Sequence, residues 1–374
     1  MIVGKTEVRV REFQPAGGVR ECHLVVRLRC GGLPFSGQCR ELLDAYDSVV
    51  GRMTDMNAVF ERYFLSDAAT QQDELEKMLG ARNCAVSVVE QPPLDGTKVA
   101  MWAVLVEDAS PKRLDSGIVE VSHGSYTHLL SGSMTASGRD SKAQAKELLV
   151  DYSERIGEAG CTLFDNCART WFFVQNIDVN YSGVVTARND VFSAQGLTND
   201  THFIASTGIG GRTSDRTSLV MMEAYSVKGL QPGQMSYLYA STHLNRTSEY
   251  GVSFERGARV DYGDRRHVYI SGTASIDNCG KVLHVGDVRL QTERMLENVS
   301  RLLEEAGCSF ADVAHTIVYL RDIADYRTVE EIFGQRFHEI PLVVLYAPVC
   351  RPGWLIEMEC MAIREQADTR YPDL

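Results

Sequence analysis

The chain repeats one pattern three times along its 374 residues, and internal repetition limits the fold before any other feature does. Helical runs open at Gln38-Cys-Arg-Glu-Leu-Leu, Gln144-Ala-Lys-Glu-Leu-Leu and Gln291-Thr-Glu-Arg-Met-Leu. Each carries a one-face apolar stripe: Leu42, Leu43, Tyr46 and Val49, then Leu148, Leu149, Tyr152 and Ile156, then Met295, Leu296, Val299, Leu302 and Leu303. The second and third runs stop at Glu-Ala-Gly-Cys, which places Gly160 and Gly307 as helix C-caps. Each helix is followed by a β-rich segment (60–67, 170–176, 316–322) and a second helical stretch (71–79, 182–195, 328–337). A closing apolar strand ends each copy (99–104, 218–227, 354–363).

These marks divide the chain into units at 1–110, 111–232 and 233–374. Strands and helices mix within each unit, as in an α+β layer with helices packed on one sheet face. The other face then needs cover, and three such units supply it by closing around an axis. The expected architecture is an intrachain pseudotrimer, so a single chain can stand as a monomer. The copies are not equal. Asp67 to Trp102 spans the same length as Asp322 to Glu357, which sets Glu357 against Trp102 in the first copy and Met221 in the second. Only the third copy keeps a carboxylate there.

Composition narrows the function. The net charge of −12 disfavours a nucleic-acid partner but leaves room for a small anionic metabolite held by local arginines. No apolar run is long enough to span a membrane, and the first residues carry no signal-peptide core. The ten cysteines lack metal-ligand spacing and read as free thiols of a reducing cytoplasm. The nine histidines form no metal pattern either, so neither metal nor cofactor is expected.

Copy three reads Val268-Tyr-Ile-Ser-Gly-Thr-Ala, then His284-Val-Gly-Asp, Gln291-Thr-Glu-Arg-Met-Leu-Glu-Asn-Val, Val318-Tyr-Leu-Arg-Asp and Arg351-Pro-Gly-Trp-Leu-Ile-Glu-Met-Glu. It resembles the Rid/YjgF family, whose members are homotrimers with ligand sites between subunits. Phe254-Glu-Arg-Gly, Ser271-Gly-Thr-Ala-Ser-Ile, Arg169-Thr-Trp and Cys350-Arg-Pro-Gly-Trp-Leu-Ile-Glu are similar, in order, to segments of the chorismatases. Two segments depart: the first bears on the exact ligand, the second tells against plain imine hydrolysis. Thr242–Val252 replaces a Pro- and Arg-rich segment of that branch, and Leu342–Pro348 lacks the arginine with which Rid deaminases grip a carboxylate.

Strand alternation puts Leu355, Glu357, Glu359 and Met361 on one face. A carboxyl among apolar neighbours has a raised pKa and can donate a proton near neutral pH. The resemblance implies that Glu357 protonates the enol-ether methylene of chorismate, releasing pyruvate and a hydroxylated ring acid. Arg256 and Arg351 are the candidate carboxylate holders, with Arg169 reaching across from the second unit. Gly257, Thr273, Ala274 and Cys350 are candidate wall residues and Tyr250 a candidate ring contact. Arg212 and Arg216 are weaker candidates for the same cleft. Two other readings stay open: a Rid-type enamine/imine deaminase, and a non-catalytic binder of small acids.

Overall fold

The computed structural model describes all of residues 1–374. The first unit orders β1 (Ile2–Val3), β2 (Thr6–Phe13), β3 (Glu21–Leu28), α1 (Phe35–Val50), β4 (Met56–Leu65), α2 (Ala68–Leu79), β5 (Ala85–Glu90) and β6 (Val99–Glu107). The second has β7 (Lys112–Arg113), β8 (Val119–His123), β9 (Tyr126–Thr135), α3 (Ser141–Glu158), the one-turn α4 (Leu163–Asn166), β10 (Cys167–Val174), α5 (Ile177–Ala194), β11 (Ala205–Gly210) and β12 (Val220–Lys228). The third has β13 (Met235–Leu238), β14 (Gly257–Asp261), β15 (Arg265–Ala274), α6 (Val288–Glu305), β16 (Val313–Leu320), α7 (Tyr326–Arg336), β17 (Leu342–Tyr346) and β18 (Ile356–Glu365). No helix is long and apolar enough to cross a membrane.

Each unit is one six-stranded sheet in the same spatial order, as β13-β14-β15-β18-β16-β17 shows for the third. The helices cover one face. On the other, β5 lies beside β9, β11 beside β15 and β17 beside β3, so the edge of each sheet meets the next and the ring closes. The fold is therefore α+β, with three tandem units around one axis.

The repeated glutamine explains itself here. Gln38, Gln144 and Gln291 are buried, and each side chain bridges the loop before its helix to the entry of the closing strand. Gln291 donates to His284 O at 3.2 Å and Gly353 O at 3.0 Å and accepts from Leu355 N at 2.9 Å. Gln144 does the same with Gly138 O, Thr217 O and Leu219 N, and Gln38 with Gly31 O, Leu33 O and Lys98 N. Gly160 and Gly307 sit at positive φ (78° and 73°), and the following cysteine amides close the helix ends on Ile156 O and Leu303 O.

The strand register corrects one alignment. Leu65 pairs with Val99 while Leu320 pairs with Ile356, so the counterpart of Glu357 in the first unit is Ala100, not Trp102. The chain between these paired positions is two residues longer in the third unit, which a gapless count cannot see. Trp102 instead corresponds to Glu359. In the second unit Val174 pairs with Val220, so Met221 does match Glu357, and Glu223 matches Glu359.

Replacing Gln291 by Ala strips three buried backbone groups of their partner. Net losses of that kind are about 1–3 kcal/mol, so the urea midpoint of Gln291→Ala should fall clearly below that of the wild type. An unchanged midpoint would show that the repeated glutamine has another purpose.

Candidate active site

Glu357 sits on β18 between Ala274 of β15 and Tyr319 of β16. Between Ile270 and Thr273 the β15–β18 register slips by one residue, a bulge that brings Gly272 directly beneath the acid. A Cβ at 272 would lie 2.0 Å from Glu357 Oε1 and 3.1 Å from Thr207 Cγ2, so only glycine leaves the carboxyl its place.

The carboxyl opens into a narrow cleft between the second and third units, with room of about 30 Å³ inside it. Tyr181 and Arg188 on α5 with Ser206 and Gly208 on β11 form one wall. Tyr250, Arg256, Ala274, Cys350, Arg351 and Trp354 form the other.

Glu357 is 3% exposed and receives no hydrogen bond from the protein. Burial pushes its pKa up to about 8, and the neighbouring Glu359 charge adds to the rise. Arg169 and Arg256 pull the other way without prevailing. Glu359, two residues on and facing the same way, has the opposite environment. Arg169 Nη2 (2.7 Å), Trp171 Nε1 (3.0 Å), Tyr319 OH (3.1 Å) and the Thr207 hydroxyl all donate to it. Unlike environments divide paired carboxyls into a proton donor and a fixed anion.

Three guanidinium groups face the acid without a carboxylate partner. Arg256 is buried, donates to Asn245 O (3.2 and 3.0 Å) and Oδ1 (3.1 Å), and lies over Tyr250 and Phe254. Arg351 sits at the mouth over Tyr250 (4.8 Å) and Trp354 (5.4 Å). Arg188 is 1% exposed, and its Nε and Nη2 have no acceptor. A buried cation left so is costly and calls for an anion. Burial pushes the Cys350 thiol up to about 12, which leaves it a neutral wall group rather than a nucleophile.

Of the residues singled out from sequence, Glu357, Arg256, Arg351, Ala274, Cys350 and Tyr250 meet in this cleft. Three do not line it. Thr273 points away because Gly272 and Ala274 take the cleft side, and its hydroxyl donates to Ser271 O. Gly257 is glycine for packing, since a Cβ there would lie 2.8 Å from Tyr269 O. Arg169 stands behind the acid, engaged by Glu359. Arg212 and Arg216 face the first unit instead, where they pair with Glu90 and Asp67. Arg188 went unnoticed, although a charge in line with Val184, Ala187 and Val191 on the buried face of α5 was a readable signal.

The family model described as Endoribonuclease L-PSP matches residues 260–364. Human 2-iminobutanoate/2-iminopropanoate deaminase is 38% identical over 101 residues, 26% of this chain and 74% of that protein. The chain belongs to the Rid/YjgF family. A RutC family protein of Pyrococcus abyssi is 36% identical over 101 residues, 26% of this Rid/YjgF chain and 79% of its relative. A solved chorismatase structure superposes with a TM-score of 0.65 at 20% identity, covering 82% of this chain and 92% of the other. That likeness extends the Rid/YjgF fold across the three units.

Between pH 4.5 and about 8 the folded state holds a proton on Glu357 that the unfolded chain releases, so this group lowers stability as pH rises through that window. Glu357→Gln removes the effect. Its stability relative to wild type should climb from about pH 4.5 to 8 and level off above, as read by thermal melts across pH. A difference that does not vary with pH would mean that the acid titrates normally.

Proposed function

We propose that this chain hydrolyses chorismate, or a closely related enol-ether acid, to pyruvate and a hydroxylated ring acid. The observation that carries the reading is a buried Glu357 that receives no hydrogen bond, in one cleft with three arginines that have no carboxylate partner. Chorismate has two carboxylates, and Arg188, Arg256 and Arg351 offer the charge-assisted donors to hold them. Glu357 then delivers its proton to the terminal methylene of the enol ether. The positive charge that develops at the ether carbon lies beside the new Glu357 carboxylate. Water adds to that carbon and returns one proton to Glu357; the proton of the resulting hemiketal hydroxyl then passes to the ether oxygen as the bond between that oxygen and the side-chain carbon breaks, giving pyruvate and a ring hydroxyl. The fold-level likeness to a chorismatase supports the substrate class.

A second reading is hydrolysis of a small imine or enamine acid, with Glu357 positioning the water. It is favoured by the human deaminase's 38% identity over 101 residues. Against it, Leu342–Pro348 supplies no arginine, and one short carboxylate would leave other cleft guanidiniums without a partner.

Incubation with chorismate should release pyruvate, followed by a coupled assay, with ring products separated by chromatography. Loss of the general acid in Glu357→Gln should lower kcat by about 10²–10⁴. The wild-type rate should fall above pH 8, where the acid loses its proton. Turnover of 2-iminopropanoate with none of chorismate would decide for the deaminase. Arg188→Met should raise KM by about ten- to a hundredfold, the worth of one or two charge-assisted bonds. An unaltered KM would place Arg188 outside the binding set.

A further inference from the structure

A second cavity lies on the axis, between the inner faces of the three sheets. It holds about 100 Å³ and shares no lining residue with the Glu357 cleft. Its wall is flat and apolar: Trp102 and Trp171 with Val104, Val106, Val121 and Leu130. His315 stacks on Trp102 at 4.1 Å, and His23 stacks on His315 at 4.9 Å.

Most polar groups of the wall are matched among themselves, with His123 Nε2 buried and unpartnered. Glu21 faces His23 at 3.0 Å, His267 at 2.9 Å and Arg265 at 3.6 Å, and Glu359 holds Arg169. His128 shares a hydrogen bond with Tyr225 OH at 2.7 Å, and burial drives its pKa down to about 3, so the ring is neutral. Burial and the nearby His23 push His315 the same way. The wall thus offers no unpaired charge to an ion. Nor does it offer the several polar contacts an ordered water needs over most of its surface. Yet Trp102, 4% exposed, has an indole N–H without an acceptor, a group that is costly to leave unmatched.

We propose that this axial cavity is a binding site for a small neutral aromatic molecule carrying a hydrogen-bond acceptor, of the phenol class. The ring would lie among Val104, Val106, Val121 and Leu130, and its oxygen would accept from Trp102 Nε1. This site is independent of the proposed reaction in the cleft.

Calorimetric titration of the full chain with phenol should give saturable binding of one molecule per chain, with none for anionic benzoate. Val121→Trp, which fills the cavity, should weaken phenol by at least about tenfold, and Trp102→Phe by about fivefold, the worth of one neutral hydrogen bond. Tyr250→Ala, in the other cleft, should leave phenol affinity unchanged. Absence of saturable binding, or full affinity in a folded Val121→Trp, would overturn the site. Where Val121→Trp does not fold, wild-type crystals soaked with 4-bromophenol decide. A bromine anomalous peak between Trp102 and Tyr225 supports the assignment, and a peak only elsewhere, or none, refutes it.

Discussion

A single guanidinium, that of Arg62, meets a carboxylate from each of the other two units. It donates to Glu223 of the second unit through Nε at 3.1 Å and lies 3.6 Å from Glu359 of the third. Trp102, Trp171, Phe60 and Phe173 surround it, and none of its surface reaches water. Buried charges hold only with good geometry and full partnership, and removing one member strands the others. The three sheets must therefore meet at one register. Arg62 and Arg169 balance Glu223 and Glu359, so the axis is electrically complete. Glu357, beside it, is held above the usual carboxylate range by burial first and by the Glu359 charge second, against the pull of Arg169 and Arg256.

Local geometry turns this balance into a usable acid. The bulge in β15 removes a side chain where the carboxyl must lie, and burial does the rest. The cleft is built from unlike halves, a helix face of the second unit against the strands of the third. The second unit has also bulged its matching strand, between Ser131 and Met134, yet it carries Met221 where the acid would stand. Backbone shape is thus shared where chemistry is not.

Much of this was legible beforehand. The glutamine-led helices, the glycine caps and the apolar stripes all follow from short-range spacing, and they fixed the unit count and the pairing of like elements. Glu357 stood out because only the third copy keeps a carboxylate at its position and because its segment resembles the chorismatases. Contacts between units were harder to read. Arg169 points to Glu359 and not to the cleft because Thr207 and Trp171 share that carboxylate, a meeting of distant segments that no local pattern encodes. Arg188 was hidden by habit, since a charge within an apolar helical stripe is easily taken for the solvent face. The Trp102 alignment failed on a two-residue difference between paired strand positions, which only hydrogen-bond register reveals.

Closure of the ring within one polypeptide has a consequence in mass action. A cleft shared between separate protomers exists only while they remain associated, so its population falls on dilution. Here α5 and β18 belong to the same chain, and the cleft between them persists at any concentration. Covalent linkage also frees the three boundaries to diverge, since a substitution at one is not copied to the others. Ala100 and Met221, both buried at the strand positions that match Glu357, show the units already unlike at this point.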